Sequence, residues 1–167
     1  MKSRKKLLFL CQAAIIAALY VALTLVANAA GLSSLMIQVR FSEALCVLAA
    51  FTPAAVPGLY VGCLLANVIT SFSSGFVVLD IIFGPIATLI GVLGAYWLRR
   101  HKWLITVPTI LSNTIIVPFI LAYGYGITQT IPLMMLTVGA GEVISAGILG
   151  MALYFALYKN ANKIFKL

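Results

Sequence analysis

Three acids and one isolated arginine are the groups in this chain best placed to do chemistry. Glu43, Asp80 and Glu142 are the only carboxylates among 167 residues, of which 8% are charged. Arg40 precedes Glu43 by three residues in "IQVRFSEAL", one helical turn away. Asn67 and Asn113 lie in equally apolar surroundings. A charge removed from water must be paired, hydrogen-bonded or used. Such a set suits capture of a polar solute or movement of an ion. Bond-making chemistry lacks its parts: the single histidine, His101, sits between Arg100 and Lys102, and no nucleophile and base stand together. There is no GxxxxGK[ST] phosphate loop and no histidine and cysteine cluster with metal spacing. Neither catalysis nor a cofactor is expected.

Two accounts of these residues compete. Arg40 and Glu43 can form an ion pair that closes one end of a bundle, or they can belong to a polar cavity that also takes Asp80, Glu142, Asn67 and Asn113. Glu142 lies in "GAGEVISAG". There Gly139, Gly141 and Gly147 either let helices pack closely or leave room for a ligand beside the carboxylate, the reading favoured here.

The elements that must position these groups are membrane helices. The chain is 63% hydrophobic with a mean hydropathy of +1.16, too apolar to cover a soluble fold. Apolar runs near twenty residues recur, and without alternation they favour helices over barrel strands. The net charge of +8 does not point to nucleic acid, because ten of the eleven cations flank apolar runs. Lys2, Arg4, Lys5 and Lys6, then Arg99, Arg100 and Lys102, then Lys159, Lys163 and Lys166 place both termini and the middle loop in the cytoplasm. Cys11, Cys46 and Cys63 are expected to be buried small hydrophobes.

Helices are expected over about 7–28, 41–51, 53–71, 80–98, 103–121 and 132–158 of a single domain. The first resembles a cleavable signal in its basic start and its "ANAA", but its apolar run exceeds about 15 residues, so it is expected to be retained. The second is too short to span. Thr52 caps the third, with Pro53 and Pro57 in its first turn; Pro118 permits a kink in the fifth. "SFSSGF" from Ser71 to Phe76 is expected to be a loop. At about 1.5 Å per residue, the three acids stand roughly 15 to 28 Å from the cytoplasmic anchors, at the midplane or beyond. In the first helix Ala13 and Ala17, and Ala14, Ala18 and Ala22, form a smooth stripe for another helix, in this bundle or in a partner.

Three stretches, "QVRFSEALCVLAAFTPAAVPGLYVGCLLAN", "LDIIFGPIATLIG" and "VGAGEVISAGILG", resemble the QueT family of substrate-binding S components of energy-coupling factor (ECF) importers, and the resemblance extends along essentially the whole chain. It implies a six-helix S-component bundle in a prokaryotic plasma membrane. It also implies a transmembrane T component and two ATPase subunits as partners, met through the alanine stripe. The implied substrate is queuosine or a 7-deazaguanine precursor. For such a ligand Glu142 and Glu43 would accept N–H groups, Asn67 and Asn113 would complete the edge, and Asp80 would meet a cation. Phe76, Tyr123 or Tyr125 would cover the ring, and Arg40 would orient Glu43. The alternatives are an S component for another vitamin or nucleobase, and a stand-alone proton-coupled secondary transporter.

Overall fold

A computed structural model describes residues 2–32, 38–74, 77–127 and 129–165. Among them every regular element is helical. Helix α1 spans Lys2–Ala29, α2 Ala55–Ser74, α3 Val78–Trp97 and α4 Val107–Tyr123. α5, Ile131–Glu142, continues through a π-helical stretch, Val143–Leu149, into α6, Gly150–Tyr158. Five segments are long and apolar enough to cross a membrane: Ser3–Ala29, Ala55–Phe72, Val78–Trp97, Lys102–Tyr123 and Ile131–Tyr158. Their outward faces carry bare apolar side chains such as Leu10, Ile15, Leu65, Ile90, Leu111 and Ile148, as a surface solvated by lipid requires.

The sixth segment is a ten-residue 3-10 helix, Phe41–Ala50, with Ser42 through Ala49 all buried. It touches α1, α2, α3, α6 and the π-helical stretch. Its sequence explains most of this position: from Ala44 on, "ALCVLAA" has no polar face to give to water and is buried all round, while Ser42 and Glu43 at its start find partners within the protein. At about 2.0 Å per residue it is roughly 20 Å long, too short to span. The main core forms around it from Leu45, Val47 and Leu48 with Ile16, Leu59, Val92, Ile105 and Tyr154.

Boundaries follow local chemistry. Thr52 Oγ1 accepts the Ala54 N–H at 3.3 Å, but α2 begins at Ala55, so Pro53 precedes the helix and Pro57 alone lies in its first turn. Pro108 occupies the first turn of α4 and delays its start to Val107 after a short 3-10 turn, Lys102–Leu104. Proline has no N–H to lose there. α1 starts at Lys2, earlier than expected, because its lysines and arginine are good helix formers. The loop expected from Ser71 is instead the last turn of α2 through Ser74, where Ser71 is buried.

The alanine stripe divides between two faces. Ala13 and Ala17 pack on α2, where a Cβ on Gly58 would lie 2.7 Å from the Ala13 carbonyl oxygen and one on Gly62 2.8 Å from Tyr20 Cβ. Small residues four apart on both helices let the backbones meet. Ala14, Ala18 and Ala22 face outward and are exposed. Cys11 is also exposed, unlike Cys46 and Cys63; it sits on the outer side of α1, so only two of the three cysteines are core residues. Gly62→Ala is expected to lower stability by about 1–3 kcal/mol. Thermal unfolding in detergent checks it, and an unchanged midpoint would refute the close contact.

The second and third basic clusters meet at one end of the bundle. Lys102 Nζ lies over the Tyr158 ring at 4.6 Å, Trp103 packs on Phe155, and Phe51 stacks on Tyr154 and Phe165. Thr52 donates to Gln12 Oε1 at 2.9 Å, tying α1 to the same end. Asp80, in the first turn of α3, starts at the other end.

Candidate functional site

The site is assembled on the backbone of residues 38–40. Arg40 is extended, with φ −110° and ψ 99°, just before the short helix. Its N–H donates to Ser145 Oγ at 3.0 Å. Two residues earlier, the Gln38 carbonyl oxygen fills the space that a side chain on Gly141 would need. This extended segment therefore lies along the Gly141–Ser145 face, with Glu142 between its two points of attachment.

Each acid has a different set of partners. Glu43 is fully buried, accepts the Tyr20 hydroxyl at 2.5 Å and has Cys46 Sγ at 3.4 Å. Asn67 Nδ2 donates to the Asp80 backbone carbonyl at 2.9 Å and lies 3.4 Å from its Oδ1. Tyr125 donates its hydroxyl to Asp80 Oδ2 at 2.9 Å. Glu142 Oε1 accepts from Asn113 Nδ2 at 3.0 Å, whereas Oε2 is buried with no hydrogen-bond partner among the described residues. Buried polar atoms are nearly always satisfied, so this oxygen is the exception that calls for an explanation.

The ion pair of Arg40 with Glu43, the first of the two accounts, is not present among the described residues. Among the described residues no ion pair within 4.0 Å engages the guanidinium, and its side chain donates no hydrogen bond. Tyr20 reaches the Glu43 carboxylate from α1 with its hydroxyl, while the Arg40 backbone N–H is fixed on Ser145 Oγ. Among the carboxylates, Asp80 acts on the Arg40 charge ahead of Glu43. Glu142 in turn feels both Glu43 and Arg40. Three acids and one arginine thus form a single electrostatic cluster.

Other expectations need correction. Among the described residues Glu43, Asn67, Asp80, Asn113 and Glu142 are all buried, and Arg40 and Tyr125 keep most of the accessible surface of the set. The glycines beside Glu142 serve packing rather than ligand space, since Gly141 receives the Gln38 backbone and a Cβ on Gly139 would meet Thr114 Oγ1 at 3.3 Å. Only Gly147 has slack, with nothing nearer than 3.7 Å. Tyr123 is 73% exposed. It lines an apolar crevice of about 370 Å³ between Leu79, Phe83, Ile115, Ile116, Phe119 and Ile120, with no carboxylate in its lining. Phe76 lies outside the described residues.

Four contributors were not anticipated. Tyr20 had a usable signal, as the only side chain able to hydrogen-bond between Gln12 and Thr24 on α1. Thr24 Oγ1 lies 2.9 Å from Ser42 Oγ and supports the same corner. Ser145 and the π-helical stretch had none, because a π-bulge, though frequent at functional sites, has no distinct sequence pattern.

Gly84 supplies a further constraint: a side chain there would occupy the position of the Asn67 amide nitrogen and approach Asp80 Oδ1 at 3.1 Å. Gly84→Ala is expected to displace that amide and to weaken ligand binding along with stability. Binding calorimetry beside thermal unfolding checks this, and wild-type values in both would refute it. Tyr125, in the loop after α4, has its phenol pushed up, first by burial, then by the charge of Asp80 and the hydrogen bond to it. A raised folded value means a stabilising contribution complete below the ordinary tyrosine value of 10.0 and lost only as alkali overtakes the raised one. Tyr125→Phe is therefore expected to leave the phenolate absorbance near pH 10 unchanged; a lower amplitude would refute it.

Five apolar spans around a buried polar cluster define an all-α, multi-pass membrane protein. The chain belongs to the QueT transporter family, which matches residues 10–159. Its class is therefore that of membrane transporters rather than enzymes. No curated protein and no solved structure matches it.

Proposed function

We propose that this protein is the substrate-capturing S component of an ECF-type importer. It takes up queuosine or a 7-deazaguanine precursor outside a prokaryotic cell, while a T component and two ATPase subunits energise passage. The observation that carries the reading is the buried Glu142 oxygen without a partner among the described residues, in a cluster whose arginine likewise has no ion pair among them. A deazaguanine offers ring and exocyclic N–H groups to such a carboxylate. The exposed Ala14, Ala18 and Ala22 face supports docking of a T component. The gathering of basic residues at the end away from Asp80 supports cytoplasmic termini and a site nearer the outer surface.

Calorimetry on the purified chain tests the substrate, with queuine and its precursors set against guanine, riboflavin and thiamine. Binding confined to the deazaguanines is the expected result. Tight binding of a different vitamin would replace the substrate within the same class. Co-purification with a T component and ATPases tests the partnership. Transport by the chain alone in vesicles, driven by a proton gradient, would overturn it in favour of a secondary transporter.

A further inference from the structure

Two groups of the cluster remain without a hydrogen-bond partner among the described residues. Glu43 is occupied by Tyr20 and Cys46, and Asp80 by Asn67 and Tyr125. Glu142 is 4% exposed, and its Oε2 has no partner. The Arg40 guanidinium has none either among the described residues. Backbone contacts bring the Arg40 main chain against the helix that carries Glu142, since Gln38 lies on Gly141 and Arg40 donates to Ser145 at 3.0 Å, on either side of Glu142 in sequence, and the Arg40 charge acts on that carboxylate.

A molecule entering here meets one acceptor and one donor fork. A buried carboxylate oxygen without a donor is costly, so an N–H offered to it restores what burial removed. A guanidinium is a rigid planar donor that suits an oxygen acceptor and cannot accept in return. A ligand with donors only would leave Arg40 unmet. An acidic ligand would face three carboxylates against one guanidinium. Resting on the reading of this cluster as the substrate site, we infer that the ligand is read along one edge bearing an N–H beside a C=O, a lactam edge, with the N–H given to Glu142 Oε2 and the carbonyl received by Arg40.

The test compares 7-aminomethyl-7-deazaguanine with its 2,6-diamino counterpart, in which the carbonyl becomes an amine and the ring N–H becomes a bare nitrogen. Calorimetry is run on the full chain in detergent, with thermal unfolding as the check of folding. The wild type is expected to prefer the lactam by about 100-fold, the sum of two mismatched hydrogen bonds. Arg40→Met and Glu142→Gln are each expected to cut that preference about tenfold, because methionine has no donor and glutamine can offer either group. A preference unchanged in both variants, or a wild type favouring the diamino edge, overturns the edge assignment alone. A folded wild type that binds neither compound overturns the substrate reading and this inference with it.

Discussion

Gly141→Ala is expected to lose about 3 kcal/mol of stability, near the upper end for added bulk in a packed site. The added carbon would collide with the Gln38 carbonyl oxygen, a backbone atom that no rotamer change can move aside. To make room, residues 38–40 must lift from the π-helical stretch, and the Arg40 to Ser145 hydrogen bond goes with them. Gly147→Ala is the control, because its nearest contact is Ile110 Cδ1 at 3.7 Å. That change should be neutral or stabilising by up to about 1 kcal/mol, since alanine is the better helix former. Unfolding of both variants in detergent decides the matter. Equal midpoints would mean that the extended segment is not seated where described.

Tyr20→Phe is expected to cost about 1.5–3 kcal/mol, the range for a hydrogen bond to a charged group. Glu43 is fully buried, and its second oxygen has only the weak Cys46 thiol at 3.4 Å. Without the hydroxyl, the carboxylate keeps its desolvation cost and loses its best donor. The diagnostic is rescue: Glu43→Met in the Tyr20→Phe background should recover most of the loss, because apolar partners leave nothing unsatisfied. If the double variant is less stable than Tyr20→Phe alone, Glu43 is held by contacts other than Tyr20. Ligand binding should fall in Tyr20→Phe by less than in Glu142→Gln, since Glu43 is engaged within the protein.

Much of this architecture could be read from residue order. Long apolar runs and three basic clusters gave six segments, and the shortness of the second followed from arithmetic on "FSEALCVLAA". The burial of Glu43, Asp80 and Glu142 followed from their rarity and depth. Their partners did not. Asn113 with Glu142 and Asn67 with Asp80 cross between helices, and nothing in the sequence fixes which faces meet. The Arg40 and Glu43 spacing misled because it assumed an α-helical turn, whereas Arg40 is extended and lies outside the short helix. The glycines near Glu142 misled differently: absent side chains were taken for empty space, whereas the Gln38 backbone fills it at Gly141 and the Thr114 side chain adjoins it at Gly139.

The ten-residue helix has a consequence for how the protein responds to its bilayer. Lipid bathes the five long helices, whereas Ser42 through Ala49 are surrounded by protein. Stretching or thinning the hydrocarbon layer acts by hydrophobic mismatch, at fractions of a kcal/mol per Å, on helices that tilt to adapt. The short helix has no such boundary to match. Membrane thickness therefore reaches Glu43 only second-hand, through the tilt of α1 and its neighbours, whereas Asp80 on α3 and Glu142 on α5 ride on helices that meet the lipid directly.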